Sequence, residues 1–339
     1  MNRDEYFMHR CIQLAKNGRK NAQPNPMVGA VIVYDGQIIG EGYHVRRGEG
    51  HAEVNAVASV KQEHRPLLSQ STIYVTLEPC SHYGKTPPCA DMLVEKGFKR
   101  VVIGCVDPNE KVKGRGIQKL KDAGIEVEVG VCREECEELN KVFFTYHRLC
   151  RPYVTLKWAQ SRDGFIGREV NKDEARMGED HRISISNQYS QMISHKLRTE
   201  HQAILVGKKT LVNDNPSLTV REWKGRNPIR IVLTHNDDFP REMKVFSNDA
   251  ETLIMEGDIE KVLHELYERG IQSLLVEGGS EVHQQFIDSG FWDEIRIEQG
   301  EMMLNEGTEA PHFDKTKVGH RAFDFFGTHF DIYTKKSEI

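Results

Sequence analysis

His51-Ala52-Glu53, answered downstream by Pro79-Cys80 and Pro88-Cys89, supplies residue types that can hold a metal ion and move a proton. One imidazole and two thiolates cancel the charge of a zinc dication and leave a fourth position for a water, whose pKa the metal lowers toward ~7. Glu53 is then no ligand; it is the carboxylate that carries protons beside the metal. The grouping predicts hydrolytic chemistry, with His51, Cys80 and Cys89 as metal ligands and Glu53 as the catalytic group. Buried core residues are the competing reading for any one of these side chains, and their joint occurrence argues against it.

Residues two apart in a helix interior do not face one another, so His51 and Glu53 must sit at a helix beginning to serve one metal. Gly48 and Gly50 precede them, and Ala52, Val54, Ala56, Val57 and Val60 continue as an apolar helical run. Cys89 follows Pro87-Pro88 and precedes Ala90, Met92, Leu93 and Val94, a second helix whose N-terminus would favour a thiolate.

Eight residues, Ser81 to Pro88, separate the two cysteines, where the general nucleobase-deaminase signature has two. The run Pro79-Cys80-Ser81-His82-Tyr83-Gly84-Lys85-Thr86-Pro87-Pro88-Cys89, with Asn25-Pro26-Met27-Val28-Gly29-Ala30 and His51-Ala52-Glu53-Val54-Asn55-Ala56, closely resembles the bifunctional riboflavin-biosynthesis deaminase/reductase family. By that resemblance His51, Cys80 and Cys89 bind Zn2+ and Glu53 is the proton donor. Asn25, His44, His82 and Lys85 are candidate substrate contacts; a loop hydrogen bond or a solvated side chain explains each of them as well.

The first 149 residues alternate helix and strand. Phe7, Cys11, Leu14 and Ala15 form a helical stripe, and Asp35-Gly36 marks a hairpin between strands at 28–34 and 38–41. Strands at 72–76, 100–104 and 126–130 and helices near 51–60, 90–97 and 116–123 predict a three-layer α/β sandwich. The resembled family has a cytidine-deaminase-like fold here. A glutamate-rich helix at Glu134, Glu135, Glu137 and Glu138 is expected to close the domain with a solvated face.

The boundary is expected near Leu149-Cys150-Arg151-Pro152, giving domains 1–149 and 150–339. The second is also α/β, with strands beginning at Tyr153, at 203–207, 229–233, 253–255, 273–277 and 294–297, and helices near 187–198, 259–269 and 281–289. Residues 168–182 read as a loop. No G-x-G-x-x-G fingerprint occurs, which removes the main support for a Rossmann domain. Glu277-Gly278-Gly279-Ser280 instead lies between an apolar strand and a helix, where small residues would admit a phosphate to free backbone N–H groups. An ordinary strand-to-helix turn has the same composition.

Tyr153 to Lys157, Ser161-Arg162-Asp163-Gly164, Ile204-Leu205-Val206-Gly207 and Asn213 to Arg221 resemble, in this order, the reductase half of the same family. That half is dihydrofolate-reductase-like and uses NADPH. The resemblance implies that Ala159, Thr210, Asp214, Gly278, Gly279 and Ser280 contact the dinucleotide, and that Arg198, Leu218, Arg221 and Glu277 face the substrate. Lys157 is a candidate active-site cation, or a solvated strand-end lysine. A guanidinium can grip a phosphate bidentately, so Arg198 and Arg221 suit the substrate phosphate; either equally suits a surface carboxylate. The chain departs from the family at Arg182 and Ser184, at Thr234-His235, and at Gln299 to Gly307, where a Pro-Lys-Leu-Ile-Gly-Gly-like segment is usual.

A chain of 339 residues exceeds what one core usually organises, and 38% hydrophobic with 29% charged residues fits a packed two-domain enzyme. A net charge of −5 argues against a nucleic-acid partner, and no apolar run approaches the ~18 residues that span a membrane. Seven cysteines, two claimed by metal spacing, predict a reducing compartment, and with the polar opening residues a cytoplasmic location. The expected activity is zinc-dependent deamination of a phosphoribosylaminopyrimidine, then NADPH-dependent reduction of its ribosyl group to ribityl, in a homodimer or higher homo-oligomer. A nucleoside or tRNA deaminase with an accessory domain, a binding module whose structural zinc takes His44 or His82 as fourth ligand, and a deaminase fused to a non-catalytic dimerisation domain are the alternatives.

Overall fold

The computed structural model describes residues 2–83, 87–110, 112–168, 183–236 and 239–335. The chain divides into two compact units, Met1–Leu149 and Cys150–Ile339.

In the first unit a five-stranded sheet has the order β2-β1-β3-β4-β5, built from β1 (Gly29–Tyr34), β2 (Gln37–Tyr43), β3 (Thr72–Leu77), β4 (Arg100–Cys105) and β5 (Glu126–Val129). β1 runs antiparallel to β2 and β3, whereas β3, β4 and β5 are parallel. The β1–β2 turn has positive φ at both Asp35 and Gly36, the geometry the Asp-Gly pair favours. Strand periodicity sorts the core into two layers. Ala30, Ile32, Ile73, Val75, Val101 and Ile103 face Ala52 and Ala56 of α2 (Ala52–Ser59), Leu93 of α3 (Cys89–Lys96) and Leu120 of α4 (Arg115–Asp122). The alternate residues Val31, Val33, Tyr74 and Val102 face Phe7, Met8, Cys11 and Ile12 of α1 (Arg3–Ala15), Cys136 of α5 (Arg133–Leu139) and Phe144 of α6 (Lys141–Leu149). An Asn2–Glu5 capping box starts α1. The sequence reading lacked α6. It also gave Glu137 a solvated face, but Glu137 is mostly covered and is held by Arg133 and Arg148.

The second unit holds an eight-stranded sheet in the order β10-β9-β8-β11-β6-β12-β15-β14. Six strands are parallel: β6 (Tyr153–Gln160), β8 (Ala203–Gly207), β9 (Ile229–Leu233), β10 (Thr252–Met255), β11 (Ser273–Val276) and β12 (Glu294–Gln299). The hairpin of β14 (Val318–Phe325) and β15 (Thr328–Lys335) adds antiparallel to β12, and a short pair joins β7 (Phe165–Gly167) to β13 (Thr308–Glu309). One face packs on α9 (Ile259–Glu268) and α10 (Ser280–Asp288). The other packs on Leu197 of α7 (Gln188–Glu200) and Leu211 of α8 (Lys208–Asp214). The C-terminal hairpin escaped the sequence reading because β14 is a largely exposed edge strand, although β15 does alternate at Thr328, Phe330 and Ile332.

Candidate active sites

His51 is the N-cap of α2 and Glu53 lies in its first turn; Cys89 is the first residue of α3, and Cys80 follows the end of β3. Extended backbone at His51 (φ −71°, ψ 169°) lets its ring turn back toward the cysteines instead of following the helix. Its Nδ1 lies 3.5 Å from Cys80 Sγ and 3.3 Å from Cys89 Sγ. Tetrahedral zinc with bonds of about 2.3 Å to sulfur and about 2.05 Å to nitrogen sets such atoms about 3.5 Å apart, so the three ligands fit the ion. The Cys89 backbone N–H also donates to Cys80 Sγ, at 3.3 Å.

Electrostatics in the cluster favour a cation. The paired sulfurs pull the Cys80 thiol down and push the Cys89 thiol upward, so that one proton is shared where a dication would remove both. Glu53 is 3% exposed, and burial, with the Cys80 sulfur second, pushes its carboxyl up to about 7. A carboxyl in that range can take and return a proton near neutrality.

Asn25 and His44 converge on the same place. Asn25 Nδ2 lies 3.2 Å from His44 Nε2, His44 Nδ1 lies 3.2 Å from the Gly50 carbonyl, and the His44 and His51 rings meet edge to face at 5.4 Å. Burial lowers the pKa of His44, which keeps the ring neutral: Nδ1 donates to Gly50 and Nε2 accepts from Asn25. The Asn25 loop is held by Asn140, whose amide exchanges two 2.8 Å hydrogen bonds with the Met27 backbone. His82 is exposed, and Lys85 lies outside the described residues.

Glu78 was missed by the sequence reading. Buried beside Pro79-Cys80, its carboxylate accepts from the backbone N–H groups of Asp107, Gly114, Gly116 and Ile117, at 2.9–3.3 Å. It thereby ties the β4–α4 loop and the start of α4 to the ligand-bearing segment. A carboxylate between the strand end and a metal-ligand cysteine was the available signal.

In the second unit a cleft of about 1590 Å³ opens over the C-terminal ends of the parallel strands, where ligands of α/β sheets usually bind. Its volume exceeds that of a pocket for one drug-sized ligand and leaves room for a dinucleotide and a substrate. Ala159, Thr210, Asp214, Gly279 and Ser280 line it, as do Lys157, Arg198, Leu218, Arg221 and Glu277. Gly279, at φ +67°, is the N-cap of α10 and sits against Thr210: a Cβ there would lie 3.1 Å from Thr210 Oγ1. These residues fit a dinucleotide phosphate at a helix start.

Three of these residues already have partners within the chain. Gly278 is required by packing, since a Cβ there would fall 2.6 Å from Val206 Cβ. The Ser280 hydroxyl donates to the Glu309 carbonyl at 2.8 Å. Arg198 does not offer a bidentate grip to a phosphate: its Nε and Nη2 hold Glu277 at 2.9 and 2.6 Å, and its Nη1 donates to the Thr219 carbonyl. Burial would raise the Glu277 pKa, but Arg198 overrides it and keeps the carboxylate ionised. Arg221 reaches the Ser217 and Thr219 hydroxyls. Its backbone N–H donates to His195 Nδ1 at 2.9 Å, and burial first, then Arg198 and Arg221, push His195 down to about 4. His195, absent from the sequence reading, is thus a neutral imidazole in the cleft.

Two family profiles match the chain: "Cytidine and deoxycytidylate deaminase zinc-binding region" over residues 1–105 and "RibD C-terminal domain" over residues 152–318. Fold and sites define a zinc deaminase of cytidine-deaminase-like fold joined to an NADPH-dependent reductase of dihydrofolate-reductase-like fold. Riboflavin biosynthesis protein RibD of Aquifex aeolicus is 38% identical, with 90% of this chain and 88% of that protein covered. Its namesake in Bacillus amyloliquefaciens is 39% identical, with 91% and 87% covered. The crystal structure of a diaminohydroxyphosphoribosylaminopyrimidine deaminase/5-amino-6-(5-phosphoribosylamino)uracil reductase from Thermotoga maritima is 35% identical, has a TM-score of 0.85 and covers 98% of this chain and 99% of its own. The chain belongs to the RibD family and is a bifunctional deaminase and reductase of riboflavin biosynthesis. Among the described residues no helix is long and apolar enough to cross a membrane.

Proposed function

We propose that residues 1–149 deaminate 2,5-diamino-6-(5-phosphoribosylamino)pyrimidin-4-one to its uracil form, and that residues 150–339 then reduce the ribosyl group to ribityl. The observation that carries the first half is the His51–Cys80–Cys89 triangle with buried Glu53 beside it. Zinc held there supplies the Lewis acidity that brings a water toward deprotonation near neutral pH. Glu53 takes one proton of the attacking water to the ring nitrogen and then moves the second, from the hydroxyl of the tetrahedral adduct, to the amine, which leaves as ammonia. Asn25 and neutral His44 orient the pyrimidine, and His82 and Lys85 are further candidate substrate contacts.

In the second half NADPH, when bound, supplies the hydride. Ala159, Thr210, Asp214 and the Gly279–Ser280 helix start hold the dinucleotide, with Gly278 allowing the turn to pack. Arg221 takes the substrate phosphate, Leu218 and Glu277 border the substrate, Arg198 acts on it through Glu277, and Lys157 is the cation at the reacting carbon. A homodimer or higher homo-oligomer accords with the open edge of β14, its exposed Phe323 and the exposed Phe326 of the following turn. A cytoplasmic location accords with seven cysteines of which none is in a disulfide.

The test supplies purified protein with the diaminopyrimidine ribotide and follows ammonia first, then NADPH absorbance. Glu53→Gln is expected to keep its zinc and lose ammonia release by about 10²–10⁴-fold. Unchanged turnover would remove Glu53 from the mechanism, and ammonia without NADPH oxidation would leave only the deaminase half.

A further inference from the structure

Beneath α7 the second sheet carries a polar strip where a core would ordinarily be apolar. Ile295 and Ile297 of β12 and Leu156 and Trp158 of β6 point to one core, while Glu294, Arg296 and Glu298, with Thr155 and Lys157, occupy the opposite face. Glu298 is 0% exposed. Neither of its oxygens meets a well-directed hydrogen bond among the described residues; Lys157 Nζ stands 3.1 Å from Oε2, and the Ser186 and Ser190 hydroxyls adjoin. Burial would raise the pKa of this carboxyl, and the Lys157 charge overrides it, so Glu298 stays ionised.

A largely buried ion pair with so few accessory hydrogen bonds contributes little net stability, and apolar replacements of such pairs are often neutral or stabilising. Its value therefore lies in what it does to the partner. Lys157, unlike Glu298, lines the cleft. The other charged or titratable groups around it are Glu277 at the end of β11, His195 and Arg198 of α7, neutral His283 of α10, and Arg296, its cross-strand neighbour on β12, which is paired with Glu294. Glu277 is already matched to Arg198, and His195 is neutral, so Glu298 is the carboxylate matched to Lys157 among the described residues.

We infer that Glu298 is a positioning residue of the reductase site, fixing the Lys157 ammonium in its charged form against the cleft from below. This rests on the proposed role of Lys157 at the reacting carbon. In the opened ribosylamine the C=N carbon takes the hydride of NADPH, which becomes NADP+. The C=N π pair moves to nitrogen, and that nitrogen needs one proton. The Lys157 ammonium supplies it and is re-protonated from solvent. The buried counter-charge holds the ammonium in place at the cleft, since a carboxylate 3.1 Å away fixes where its donors can point.

The inference is tested on the full-length protein without NADPH by pulse acylation at pH 8, with mass spectrometry of the Lys157 peptide. Glu298→Gln and Glu298→Met are both expected to speed acylation of Lys157 at least about tenfold, the equivalent of one pKa unit. With NADPH and the deaminated ribotide, both variants should lose reductase kcat at least about tenfold and keep the KM for NADPH. Their falling limb should move to lower pH, with the retained KM for NADPH as the control that the second unit is folded. Parental acylation rates together with a parental pH profile overturn the inference. Full NADPH oxidation by Lys157→Ala would instead overturn the reading of Lys157 on which it rests.

Discussion

Single side chains in this protein act through the partner that fixes their charge. Arg198 and Glu277 show it most directly, because their side chains are only 13% and 11% exposed and two hydrogen bonds join them. Breaking a buried pair by removing one member typically costs about 3–5 kcal/mol, since the other charge is left without compensation. Arg198→Met is accordingly expected to destabilise the second unit by about that amount, read as a lower urea midpoint of its unfolding transition. A change below about 1 kcal/mol would show that the pair is offset by water and not buried as described. At this scale the sequence was most legible where chemistry demands particular residue types: His51, Cys80, Cys89 and Glu53 meet in one cluster. It was least legible where a residue acts through another. Nothing near Arg198 in sequence points to Glu277, 79 residues away, and Glu78 and Glu298 read as ordinary charged residues until burial is known.

Elements carry these residues to their places through close approaches that a pattern of apolar positions does not reveal. Period-2 alternation and the helical stripes suffice to foresee most strands of both sheets, because burial on two faces leaves a direct imprint on sequence. The same logic fails for β14, whose exposed edge imposes little pattern, and for α6, which the break at Asn140 separates from the glutamate-rich α5. Gly278 shows how a motif read as a turn can carry a packing requirement that its composition does not reveal. Its missing side chain lets the β11–α10 turn lie on Val206 of β8, with 2.6 Å available to a Cβ. Gly278→Ala is therefore expected to lower the stability of the second unit by about 1–3 kcal/mol through overpacking. Calorimetry should show only its transition moved; a loss of NADPH affinity at unchanged stability would restore the phosphate explanation.

The whole molecule joins two α/β units, each with a sheet buried on both faces and its own set of candidate active-site residues. Independent cores predict independent activities. Glu53→Gln should still reduce the deaminated ribotide, and Lys157→Ala should still release ammonia from the diaminopyrimidine. Neither alone should complete the sequence, while an equimolar mixture should oxidise NADPH from the diaminopyrimidine ribotide after a lag as the intermediate accumulates in solution. A mixture that stays silent while both halves work singly would mean that the intermediate is not released.

The amide of Asn140, which grips Met27 with two hydrogen bonds, sets a lower limit on how short a working deaminase can be cut. A truncation after residue 105 would retain every metal ligand and still release the segment bearing Asn25. The smallest autonomous piece must therefore run through the junction of α5 and α6, well beyond the last zinc-binding cysteine.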